Sequence, residues 1–192
     1  MNDTYFDHQL TIEQLTKLLH AAKAGRRGDR DHLMILLGVS HGMRNSEICN
    51  LEVRDFDLYH GTVTIRRGKA SLKTKQPMVT NENPLLDEVG AVTAYLARME
   101  NKRGKLFDIK PGMFRLLFNK YAEYVKIPED LRTPHVLKHT AAHFALEASG
   151  NDLVAVQRFL GHKNLSSTGM YLKMGDEAAC KKVQKDGYFP KG

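Results

Sequence analysis

Thr62-Val-Thr-Ile-Arg-Arg-Gly-Lys-Ala-Ser-Leu-Lys-Thr-Lys-Gln-Pro-Met-Val-Thr80 is the stretch that separates this sequence from an all-helical one. Thr62-Val-Thr-Ile-Arg66 is β-branched and alternates polar with apolar side chains, and Gln76-Pro-Met-Val-Thr80 can return beside it, as in an antiparallel hairpin. Arg67 to Lys75 forms the tip between them and carries the basic cluster Arg66, Arg67, Lys69, Lys73 and Lys75.

On both sides of this hairpin the periodicity is helical. Upstream, Thr11-Ile-Glu-Gln14 has the form of a capping box, and Ile12, Leu15, Leu18, Leu19 and Ala22 behind it mark a buried stripe. Gly25-Arg-Arg-Gly28 breaks that helix. Asp29 is placed to cap a second one, which carries the apolar run Leu33 to Val39 and ends near Gly42, and a short helix follows from Asn45 to Leu51. Downstream, Pro84 opens a helix through Leu86, Val89 and Val92 to Leu96, and Met113, Leu116, Leu117 and Tyr121 mark another. After the loop Ile127 to Pro134, a helix runs from His135 to about Ser149, with Leu137, Ala141, Phe144 and Ala148 on one face. Gly150-Asn-Asp152 begins the next, which stops at Gly161, and Asp176 to Lys185 reads as a last, Lys-rich helix. The expected fold is mainly α (α+β), with one small antiparallel sheet.

At 192 residues, with 42% hydrophobic and 27% charged, the chain has the size and composition of one globular domain with a true core. The longest apolar run is far too short to span a bilayer, and the start Met1-Asn-Asp-Thr-Tyr-Phe-Asp7 lacks the basic and apolar regions of an export signal. A membrane or exported protein is therefore not expected. Two cysteines, Cys49 and Cys180, both in helical patterns, read as packing thiols and suit a reducing cytoplasm. Twenty-nine Lys and Arg against 22 Asp and Glu leave a charge of +7, which favours an anionic partner, nucleic acid first.

Four separated segments hold unusual polar residues: His41-Gly-Met-Arg-Asn-Ser-Glu-Ile-Cys-Asn-Leu51, Gly68-Lys69, Pro134-His-Val-Leu-Lys-His-Thr140, and Leu160-Gly-His-Lys-Asn-Leu-Ser-Ser-Thr-Gly-Met-Tyr171. In order and interval they resemble the tyrosine recombinase, or phage integrase, family. That family has an Arg followed by Ser-Glu, a hairpin Lys, a His-x-x-Arg opening a helix, a Gly-His, and a Tyr nine residues after that His. The match supplies Arg44, Lys69, His135, Lys138, His162 and Tyr171, and runs from about Leu10 to Met174.

The resemblance implies a site-specific DNA recombinase in which Tyr171 attacks a phosphodiester, forming a 3′-phosphotyrosyl link and expelling a 5′-hydroxyl. His135 accepts the phenolic proton, Arg44 grips phosphate oxygens with its planar fork, His162 hydrogen-bonds the phosphate, and Lys69 protonates the leaving oxygen, with Lys73 as the alternative acid. Glu47 orients the site from behind, and His139 buttresses it or simply packs. Arg66, Arg67, Lys73, Lys75 and Lys163 are expected to contact DNA, and Lys181, Lys182 and Lys185 to lie on a basic surface near it. No metal or other cofactor is implied, because fixed cations stabilise the phosphorane. His135, His139 and His143 do fall at a metal-ligand spacing, but no nearby carboxylate or cysteine completes such a site. Implied partners are duplex DNA, other copies of the chain in a four-subunit synapse with residues 175–192 as the docking tail, and accessory DNA-bending proteins, all in the cytoplasm at the nucleoid.

Two features depart from the family pattern. Lys138 stands where the family has a second Arg, keeping the charge but losing the bidentate fork. This leaves two accounts: an active enzyme that tolerates Lys, and a weakened one that acts as an integrase-like DNA-binding regulator. The pattern also begins almost at Met1, without the N-terminal DNA-clamping domain of many relatives. In this it resembles the small single-domain fimbrial phase-switch recombinases, and residues 1–192 are expected to form a single catalytic domain.

Overall fold

A computed structural model describes residues 8–68 and 72–163. Lys69, Tyr171, Cys180 and the expected helix from Asp176 to Lys185 lie outside the described residues.

Helix α1 (Ile12–Lys23) starts at the expected capping box, with Thr11 Oγ1 accepting from Gln14 N and Gln14 Oε1 accepting from Thr11 N. Leu15, Leu18, Leu19 and Ala22 are buried, but Ile12, in the first turn ahead of the packed face, is 71% exposed. Helix α2 (Gly28–Ser40) begins one residue before Asp29, and no side chain caps it. Asp29 instead sits in the first turn, where a carboxylate favours the helix dipole, and pairs with Lys23 at 2.6 Å and with Arg98. From Asp31 to Val39 every residue of α2 is buried. It is the central helix, and α1, α3 (Asn45–Cys49), α4 (Glu88–Arg98) and α6 (His135–Ala148) pack on it. Gly38 allows two of these approaches: a Cβ there would lie 2.8 Å from Leu137 Cδ1 of α6 and 2.9 Å from Ile48 Cδ1 of α3. The two helices that carry Arg44 and Lys138 at their starts are thereby drawn against one axis.

The sheet is antiparallel with order β1 (Phe56–Asp57), β2 (Thr62–Ile65) and β3 (Thr74–Pro77). Ile65 pairs with Thr74 and Thr62 with Pro77, so the return strand starts two residues earlier than expected. It ends at Pro77, and Met78 N beyond it donates to Gly61 O rather than extending the ladder. Helix α4 starts at Glu88, not Pro84, because the Asp87 side chain caps it by accepting from Gly90 N, while Pro84 to Leu86 form a turn. In α5 (Pro111–Tyr124) the buried stripe is Phe114, Phe118 and Ala122. Met113 and Leu116, which marked this helix in the sequence, are 53% and 67% exposed, since packing against α1 and α3 selects the neighbouring face. Helix α7 (Leu153–Leu160) joins α6 through a small separate cluster of Ala142, Leu146, Val156 and Leu160. The fold is thus mainly helical with one small antiparallel sheet, and no helix among the described residues is long and apolar enough to cross a membrane.

Candidate active site

The corner between α2 and α3 sets the first side chain. Gly42 takes φ +58, a conformation that favours glycine, and a Cβ there would meet Leu160 Cδ2 at 2.6 Å. Arg44 then enters α3 in extended conformation as its N-cap. Glu47, three residues on, accepts from Arg44 N and from Arg44 Nη1, both at 2.9 Å. Glu47 therefore caps the helix and holds the arginine at once. Burial works to raise its pKa, but the hydrogen bond from Arg44 N and the charge of Arg67 outweigh that and keep it low. The Arg44 side chain stays 38% exposed, and that of Glu47 only 4%.

Arg67 corrects an expectation. Placed by the sequence reading on a DNA-facing tip, it is 8% exposed and buried in the protein. Nη1 donates to Gly42 O (2.8 Å) and Glu47 Oε2 (3.2 Å), Nη2 to His41 O (2.8 Å) and Phe159 O (3.0 Å), and Nε to Thr74 Oγ1 (3.3 Å). These bonds cross-link the α2–α3 corner, the hairpin and the end of α7. A signal for this existed in the strand alternation, since Val63, Ile65 and Arg67 all face inward. Removing Arg67 would leave a buried carboxylate half-neutralised, the His41 and Gly42 carbonyls without this donor, and Phe159 O with only the bond from Gln76 Nε2. Arg67→Met is therefore expected to lower unfolding free energy by about 3–5 kcal/mol in urea titration. A loss under about 1 kcal/mol would refute the cross-linking role.

Helix α6 brings the next group. Lys138 is 3% exposed, and its Nζ has no hydrogen-bond partner among the described residues. Burial, aided by the charge of Arg44, pulls its pKa down to about 8, with Glu47 opposing. One turn earlier His135 is exposed, and its ring meets that of His139 edge-on at 4.5 Å between centroids. Burial, then the charges of Lys138 and Arg44, lower the His135 pKa, so the ring is neutral at neutral pH and able to take a proton. Burial and the neighbouring His135 bring His139 to about 4.

The end of α7 completes the set. Gly161 at φ +68 closes the helix: its N–H donates to Arg158 O, and His162 N donates to Gln157 O, a Schellman motif. A Cβ on Gly161 would lie 2.8 Å from Leu72 O, and Leu72 N donates to Gly161 O, so the hairpin is tied to this turn. His162 is 8% exposed; burial, followed by the charges of Lys138 and Arg44, holds its pKa near 4.

Arg44, His135, Lys138 and His162 therefore converge, each within electrostatic reach of Lys138 or its neighbours, around one bound carboxylate, Glu47. Neutral imidazoles and surplus cations make a hollow that stabilises incoming negative charge. The remaining expected DNA contacts divide. Arg66 is committed to Asp55 (2.8 Å) and Glu52 (3.2 Å), whereas Lys73, Lys75 and Lys163 are exposed. Among the described residues, no group of three or more His, Cys, Asp or Glu is arranged to hold a metal. Cys49 is buried, which pushes its thiol up to about 11 and leaves it inert. Sequence reasoning missed the buried partners behind the hollow: His41, Gln76 and Glu88, whose contacts are set by packing alone.

A sequence model of the phage integrase family matches residues 8–177. The chain is 33% identical over 183 residues to tyrosine recombinase XerA of Thermococcus kodakarensis, covering 92% of this chain and 61% of that protein. It is 30% identical over 174 residues to the type 1 fimbriae regulatory protein FimE of Escherichia coli K12, covering 84% of this chain and 83% of FimE. It thus spans about three-fifths of XerA and most of FimE. The fold is shared with XerH site-specific recombinase bound to its difH substrate, with a TM-score of 0.72 at 19% identity over 92% of this chain and 54% of that one.

Proposed function

The chain belongs to the phage integrase family, and from that premise we propose that it cuts and rejoins duplex DNA at specific sites through a covalent bond to Tyr171. The Tyr171 oxygen attacks the phosphorus as the bond to the 5′ oxygen breaks. The phenolic proton passes to His135, and the 5′ oxygen leaves as a hydroxyl with a proton from Lys69. Arg44, Lys138 and His162 carry the charge that builds on the phosphate oxygens. Rejoining reverses these steps, with a 5′-hydroxyl attacking the phosphotyrosine, so bond energy is conserved without a nucleotide cofactor.

The observation that carries this reading is the solvent-shielded Lys138 ammonium beside Arg44. A buried ammonium without a hydrogen-bond partner, set beside a second and partly exposed cation, is costly unless an anion joins them, and a phosphodiester has the charge and oxygens to do so. XerH is named as bound to its difH substrate, which supports duplex DNA as the partner here. Phosphate contacts from Lys73, Lys75 and Lys163 make that binding steeply salt-dependent. Exchange between two duplexes needs four active sites, so self-association on DNA belongs to the same proposal.

The test is a pool of nicked duplexes with randomised flanks, incubated with the protein and resolved on denaturing gels. A covalent protein–DNA band, enriched on sequencing for one motif, is the expected result. The replacement of the family's Arg by Lys138 favours a second reading, an integrase-like DNA-binding regulator. Retarded DNA without any covalent band would select that reading and overturn strand cutting.

A further inference from the structure

A buried polar chain runs from the start of α4 to the end of α7. Glu88, at the start of α4, is 0% exposed; its Oε2 accepts from Val79 N at 2.7 Å, and its Oε1 lies 3.1 Å from His41 Nε2. His41, 2% exposed, closes α2, and its Nδ1 is 2.8 Å from Gln76 Oε1. Gln76, 7% exposed on β3, sends Nε2 to Phe159 O at 2.7 Å. The orientation of that amide follows from its partners. Swapping it would set an oxygen against the Phe159 carbonyl, so Nε2 faces Phe159 and Oε1 accepts from the Nδ1–H of His41.

The end point of the chain matters. Phe159 O is one of the last carbonyls of α7, which helix geometry leaves without an intrahelical donor. It lies three residues before His162, with the Gly161 turn between them. The start of α4, the end of α2 and strand β3 are thus linked to the turn that presents His162. A trio of apolar side chains would fill the same space without the cost of burying polar groups, so the chain is better explained by placement than by stability.

We propose that Gln76 is a positioning residue for strand cutting, oriented by His41 and Glu88, that fixes the Phe159 carbonyl and through it the His162 ring. The inference rests on the strand-cutting reading given above.

The experiment is a double-mutant cycle on adduct formation, run well below the melting temperature of every variant. Gln76→Glu keeps the shape but turns an acceptor toward Phe159 O; Gln76→Leu removes both bonds. Each is expected to slow adduct formation at saturating DNA by about 10- to 100-fold, the scale of a misplaced catalytic group, with DNA affinity within about twofold of wild type. In a His162→Ala background the same substitutions are expected to cost less than about twofold, because the ring they place is gone. Full repetition of the cost in that background, or a loss of affinity in place of rate, overturns the proposal. Nitrogen NMR of His41 in the unmodified protein reads the chain without any variant: a ring lacking the Nδ1 proton at neutral pH also overturns it. A wild-type protein that makes no adduct defeats the strand-cutting reading itself, and is told apart by failing before any Gln76 substitution is compared.

Discussion

Tyr171→Phe is expected to abolish the covalent protein–DNA band while leaving DNA binding within about twofold of wild type. The substitution deletes a single oxygen, but that oxygen is the atom proposed to bond phosphorus, and phenylalanine offers no other nucleophile. The assignment rests on the position of Tyr171, nine residues after His162 and ten after the Gly161 turn. The proposed phosphate contacts, exposed lysines and Arg44, are not touched by the substitution, so gel retardation and adduct formation are expected to separate cleanly. Wild-type adduct yield from Tyr171→Phe would move the nucleophile elsewhere in the chain.

Lys138→Arg is expected to abolish a loss of activity at alkaline pH that is expected of the wild-type protein. With its pKa drawn down to about 8, Lys138 sheds its proton above that pH and the hollow loses one cation. The rate at limiting DNA, which reports the free protein, should then fall about tenfold per pH unit above pH 8. Arginine stays charged throughout, so the variant should hold its rate across that range and match or exceed wild type at pH 7. Lys138→Met should lose on the order of 10²- to 10³-fold at every pH, the usual cost of one transition-state donor.

Unfolding does not produce the same profile. The folded pKa of about 8 lies below the ordinary 10.5, so between these values the unfolded chain binds more protons. The penalty of burying the ammonium is full below pH 8 and is relieved as pH rises toward 10.5. The Lys138 burial penalty is therefore relieved over the range in which activity is expected to decline, and a flat wild-type rate profile from pH 7 to 9.5 would refute its role as a required cation.

The capping box at Thr11, the stop at Gly161 and the helix opening at His135 were legible because each depends on residues within one turn of chain. The start of α4 was misplaced for a related reason. Pro84 and Asp87 both carry helix-start signals, and only the contacts of Val79 with Glu88 favour the later one. Ile12 was assigned to a buried stripe by spacing, and Met113 and Leu116 marked a helix without fixing its inner face, since a helix with apolar residues around much of its circumference has several candidate stripes. Packing partners choose among them.

The site divides in the same way. Order and interval along the chain singled out the residue types proposed for it: Arg44 ahead of Glu47, Lys138 one turn after His135, His162 after a glycine, and Tyr171 beyond. Only the tertiary structure decided which of two adjacent arginines serves it. Arg66 turns outward to Asp55 and Glu52, and Arg67 turns inward to Glu47 and three carbonyls, one of them 92 residues away. Local sequence carries the preferences of one turn or one strand, but a buried charge goes where distant groups can pay its desolvation cost, and those groups meet only when the chain has folded.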